Sequence, residues 1–234
     1  CVAPAPAPRE TRGPVFAGER GAEALCVVEE MPNYLLHLTA LAGLPYRSTY
    51  ADRFGHTVDA ESAQILNLHA PMLQWGQGVT GDLAPFFVLL PAYLPMEDEY
   101  ELFEYLRAVD EAMRSRDYSL LRDPYYDAHE ELRQWLFDYE GFFRSRAAVY
   151  DDFLRAIRQL VFVYEHSFQD YHEKVWSEVE LDLDLAADDL NGELWSLELI
   201  DSLESMTGVR LRADRYEIVL TTAPGGTGVT GLGY

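Results

Sequence analysis

The chain has 234 residues, 48% hydrophobic and 13% aromatic, which is enough to bury a core and too apolar for a disordered polypeptide. Forty acidic residues against 18 basic ones give a net charge of −22, a field that repels phosphate backbones and anionic lipid headgroups and so excludes nucleic acid as a partner. No apolar run reaches the ~20 residues that span a bilayer, and the longest, such as 86–90, stop at prolines.

The chain opens on Cys1 followed by Val-Ala-Pro-Ala-Pro-Ala-Pro. A cysteine ahead of an extended Pro/Ala spacer reads as the processed start of a lipoprotein, with a lipid on Cys1 anchoring the protein outside the cytoplasm, in the periplasm or at the cell surface. Residues 1–21 are then a tether, and 22–234 form a single, mostly helical domain whose C-terminal end reads as incomplete. Cys26, in an apolar run, is either a small buried hydrophobe or the partner of Cys1 in a disulfide.

Residues 24–29 read as a short strand. A helix over 33–43 follows, with Tyr34, Leu35, Leu38 and Leu41 on one face. Asp59 caps a second helix carrying Ile65, Leu68, His69, Met72 and Leu73, with a kink expected at Pro71. Residues 76–95 are rich in Gly and Pro around one short buried element, 86–90. A helix over 98–115 places Leu102, Leu106, Val109 and Met113 on one face behind an acidic first turn. Another is predicted over 127–139.

The longest periodic stretch sets Val149, Phe153, Ile157, Leu160, Tyr164, Phe168, Tyr171 and Val175 three and four apart, so a long central helix near 142–178 is expected, with the helices at 33–43, 98–115 and 190–206 packed around it. Residues 180–185 alternate like a strand between helical patterns and remain ambiguous. A last amphipathic helix carries Leu190, Leu194, Leu197, Ile200 and Leu203 and ends at Gly208; residues 216–222 then read as a strand with no evident partner. The fold class is mainly α with a few short strands, an α+β arrangement.

Chemistry-bearing motifs are incomplete. Residues 226–231 match G-x-G-x-x-G, but no helix follows to hold a pyrophosphate, so a turn is the better reading. His166 and His172 lie about 120° apart on one helix and cannot share an ion. His172 reads as a packed, hydrogen-bonded core histidine and His166 as solvent-facing. His129-Glu130 is followed by Arg133 where H-E-x-x-H needs histidine, and His172-Glu173 by Trp176. Asp182, Asp184, Asp188 and Asp189 lack the loop spacing that calcium requires. No residue is assigned as catalytic or metal-ligating. The ligand-binding candidates are His37, His69, His172, Tyr164 and Tyr171.

Three stretches, residues 27–38, 171–176 and 206–220, resemble in order and texture the N-terminal part of uncharacterised, secreted or lipid-anchored bacterial gluzincin-like metallopeptidase proteins. The resemblance implies the non-catalytic portion of a peptidase acting on peptides or proteins. Its H-E-x-x-H helix would follow Tyr234, so no zinc ligand carries over to any residue present, and zinc is expected only with such a continuation. The alternative is a non-catalytic extracytoplasmic lipoprotein that binds a ligand or a protein partner through its many aromatic side chains. Mass spectrometry of the native protein should show an acylated Cys1; an unmodified thiol would end the lipoprotein reading.

Overall fold

A computed structural model describes residues 23–42, 49–75, 81–94, 96, 98–122, 124, 150–197, 199–208 and 215–223. The tether, the helix predicted over 127–139 and the glycine-rich tail lie outside them. In chain order come β1 (Glu23–Val27), α1 (Glu30–Leu41), α2 (Thr49–Phe54), α3 (Ala60–Leu73), α4 (Glu99–Ser115), α5 (Ser119–Arg122), α6 (Tyr150–Tyr171), α7 (Ser177–Leu197), α8 (Leu199–Thr207) and β2 (Arg215–Val219). The fold is mainly helical with one short two-stranded sheet.

The helix ends follow their local sequences. The Asp59 carboxylate accepts the Ser62 N–H at the start of α3, and Asp98 accepts those of Tyr100 and Glu101 at the start of α4. Arg116 closes α4 with φ 58, a left-handed conformation more often held by glycine, and its guanidinium lies 4.4 Å from the centre of the Tyr150 ring. Pro71 sits in the last turn of α3, where it removes the bond an N–H would have made to the carbonyl of residue 67, and the helix ends two residues later. Gly81 then passes against the main chain of that turn: a Cβ there would lie 2.4 Å from the Met72 carbonyl oxygen, so only glycine fits.

The predicted central helix is present and longer than expected. α6, a π-turn over His172–Trp176 and α7 form one unbroken helical rod, so residues 180–185 are helical. Their alternating leucines therefore divide between two sides: Leu183 is buried, whereas Leu181 and Leu185 face solvent. The apolar stripe of α6 (Phe153, Ile157, Leu160, Tyr164, Phe168 and Tyr171) is buried along its length, against α1, α3 and α4. The buried element predicted at 86–90 is a π-turn, Pro85–Leu89, whose Phe86 and Phe87 are fully enclosed.

Two expectations need correction. The helix predicted over 190–206 is divided between the end of α7 and the separate α8, which packs on α7 and β1 rather than around the central stripe. Leu190 and Leu203 are consequently exposed. The C-terminal strand does have a partner: β2 pairs with β1 in parallel, with Cys26 opposite Ile218 and Val27 opposite Val219. The two strands are separated by almost the whole described chain, so no local pattern could reveal the pairing.

Leu160→Ala, which opens a cavity in the sealed stripe, should lower the unfolding free energy by about 2–5 kcal/mol. His166→Ala, on the exposed side of the same helix, should change it by less than about 0.5 kcal/mol. Equilibrium urea denaturation distinguishes the two, and equal effects would contradict the observed orientation of α6.

Candidate functional site

The polar groups of the interior gather on α1. Nine of its twelve residues are buried, so each polar side chain it carries must find a partner inside the protein. Asn33 donates from Nδ2 to the carbonyls of Glu29 and Leu220, both at 2.9 Å, and accepts the Thr222 N–H at Oδ1. One amide thus joins the entry of α1 to the chain leaving β2. On the other side of β1, Asn191 of α7 accepts the Cys26 N–H at 2.7 Å and donates to the Cys26 carbonyl at 2.9 Å, as a neighbouring strand would.

His37, one turn beyond Asn33, is completely buried. The Thr57 hydroxyl donates to the Phe54 carbonyl at 2.7 Å, so its 3.2 Å contact with His37 Nε2 is an N–H donated by the imidazole. His37 Nδ1 is then an acceptor, and the Tyr50 hydroxyl donates to it at 2.9 Å. Burial raises the Tyr50 pKa, and the Thr222 side chain pulls it down against that larger effect. The result is a directed chain from Tyr50 through His37 to Thr57. Burial pushes the His37 pKa down to about 3, so the ring is neutral at physiological pH.

Aromatic rings close around this chain. Tyr34 donates its hydroxyl to the Tyr164 main-chain carbonyl and meets the rings of Tyr164, Phe168 and Tyr171 at 5.0–6.0 Å. Tyr171 packs 4.8 Å from the His37 ring. Tyr164 packs edge-on against Phe87, its hydroxyl buried without a partner among the described residues. Burial holds the phenols of Tyr34, Tyr164 and Tyr171 above their ordinary range.

The five ligand-binding candidates therefore separate. His37, Tyr164 and Tyr171 come together, but in the packed interior rather than along a cleft. His69 is buried apart from them and bonds through Nε2 to Gln159 Oε1 at 2.8 Å, joining α3 to α6. His172 is hydrogen-bonded as expected, yet its side chain is exposed rather than part of the core. It lies at the edge of the α6 stripe, its ring stacked on Phe168 with centres 6.1 Å apart, and reaches to the Glu30 carboxylate rather than into the core. Cys1 lies outside the described residues. Cys26 is a buried free thiol whose pKa burial raises.

His172 and Glu30 pair at the edge of the core, with Nδ1 2.7 Å from Oε1, the imidazole exposed and the carboxylate largely covered. The hydrogen bond to Glu30 raises the His172 pKa, and Glu99 and Glu173 add to that effect. Burial raises the Glu30 pKa against the pull of His172, with Glu180 and Glu99 contributing. Glu29 is also raised, by burial first and then by Glu217. Carboxylates from α1, α4, the rod and β2 thus influence one another around the start of α1. Among the described residues no three His, Cys, Asp or Glu side chains are placed to hold a metal ion. The sequence reading missed Glu30, Asn33, Tyr50, Thr57 and Asn191. A polar residue at an apolar-face position, as Asn33 is beside Tyr34, was the one available signal.

Comparison of the chain with known protein families, with curated proteins and with solved structures gives no match.

The two histidines predict opposite pH dependences. His37 has a folded pKa below its unfolded value of 6.5, so the unfolded chain binds the proton first, and stability falls as pH drops from about 6.5 toward 3, by up to about 1.4 kcal/mol per pH unit. His172 has a folded pKa above that value, so its contribution is complete below pH 6.5 and is lost as pH rises through the folded pKa. Urea midpoints measured between pH 5 and 8 should therefore peak in the middle of that range. His37→Gln should flatten the acid limb and His172→Gln the alkaline limb; unchanged limbs would contradict the assignments.

Proposed function

We propose that this chain is a non-catalytic module that acts by binding a partner rather than by bond-making chemistry. The carrying observation is the division of its reactive groups. The imidazole and phenols that could serve as acids, bases or ligands are sealed in the core with neutral partners. The surface of the rod presents carboxylates, including Glu178, Asp182, Asp188 and Asp189. A general base has to reach a substrate proton within hydrogen-bond distance, and a fully enclosed His37 meets none.

Both expectations from the sequence accommodate this reading. As the non-catalytic part of a gluzincin-like peptidase, the helical layer would support or present a substrate. As a separate binding protein, it would work through its surface. The aromatic side chains do not supply that surface in the way the sequence suggested, because the stripe from Phe153 to Tyr171 faces inward.

The purified chain incubated with a fluorogenic, unstructured peptide library, with and without added Zn²⁺, should release no fragments. Cleavage that persists through repurification and disappears in Glu30→Gln or His172→Gln would replace this reading with a catalytic one centred on that pair.

A further inference from the structure

α7 carries two apolar faces and uses only one. Val179, Leu183 and Ala187 are buried on the side toward the protein. At about 100° per residue, Leu181, Leu185 and Gly192 fall within about 40° of one another on the opposite side. Leu181 is 67% exposed and Leu185 57%. Isolated exposed leucines are ordinary on protein surfaces, but two on adjacent turns of one helix form the beginning of a seam.

Gly192 gives an independent reason to read that seam as a contact surface. A glycine inside a helix costs about 1 kcal/mol relative to alanine. Nothing lies within 4 Å of the position its Cβ would occupy, so no packing in the described fold demands glycine there. A bare backbone patch in line with exposed leucines permits close approach of another chain.

Charge identifies the occupant. Asp184 flanks the seam on one side and Asp182 and Asp189 on the other, with Asp188 between Leu185 and Gly192; none of these four has a cationic partner among the described residues. Flanking carboxylates repel a second copy of the same face, and they repel anionic lipid and nucleic acid, while complementing lysine and arginine on either side of a partner's apolar stripe. We propose that the outer face of α7, from Glu178 to Gly192, docks a cationic amphipathic helix of a partner protein, with Leu181 and Leu185 against its apolar stripe and Gly192 at the closest approach. This rests on the reading of the chain as a binding module and gives that module a site and a partner chemistry.

The probe is a fluorescein-labelled amphipathic Leu/Lys helix about 18 residues long, roughly five turns, compared by anisotropy with a scrambled peptide of the same composition. The helix should bind the full chain, and more weakly as salt rises. Leu181→Ser/Leu185→Ser, which alters no charge and no buried contact, should weaken binding at least tenfold. Gly192→Ala should weaken it several-fold while the melting temperature holds or rises, a separation that general destabilisation would not produce. Equal binding of the scrambled peptide, unchanged affinity in the double-serine variant, or a dimer of the chain that this variant abolishes would each overturn the proposal. Those results would leave the non-catalytic reading standing, since the cleavage assay decides it separately.

Discussion

Burial of α1 on nearly every side is the constraint from which the rest of the architecture follows. A helix enclosed this completely cannot send its polar side chains to water, and an unpaired buried amide or imidazole costs about 1–3 kcal/mol. Asn33, His37 and Thr39 are all buried and all hydrogen-bonded. Each of the first two bonds recruits a distant segment. Asn33 fixes the chain after β2, and His37 fixes α2 and the turn that follows it. Polar satisfaction on one twelve-residue helix therefore specifies which parts of the chain meet.

The long rod provides the complementary surface. Its first half supplies the aromatic stripe that packs on α1, and its second half carries Asn191 to the side of β1 away from β2. An isolated pair of parallel strands is marginal, because few hydrogen bonds offset the ordering of two segments distant in sequence. Asn191 on one side of β1 and Asn33 at the end of β2 complete backbone hydrogen bonds that a larger sheet would otherwise provide. The small sheet is held in place by helices on both sides of the pairing.

Electrostatics divides the molecule along the same lines. The interior network is neutral throughout: a neutral imidazole, un-ionised phenols and hydroxyls pass hydrogen bonds in one direction without any buried charge. The net charge of −22 is left to the surface. Around the start of α1 burial first, and neighbouring carboxylates second, raise the pKa values of Glu29 and Glu30, and His172 opposes that rise at Glu30. Along α7 the carboxylates instead border exposed leucines. The proposed recognition by charge and apolar contact together uses that surface, whereas among the described residues Tyr34, His37, Tyr164 and Tyr171 are enclosed in the core.

The sequence alone carried the helical class, the cap at Asp59, the close of α8 at Gly208 and the apolar face of α6. All of these depend on residues within one or two turns of each other, and their spacing carries the physics directly. It left residues 180–185 ambiguous because leucines two apart satisfy a strand on one face or a helix on two, and only the continuation of the rod through the π-turn selects the helix. The parallel pairing of β1 with β2, the bond of Asn33 to Leu220 and the bonds of Asn191 to Cys26 span 165 residues or more, and the His172–Glu30 pair spans 142. Such contacts leave no periodic trace. Tertiary structure alone decided that His37, Tyr164 and Tyr171 share an interior while His69 and His172 do not, because burial depends on what packs against a helix face, and that neighbour is supplied by a distant part of the chain.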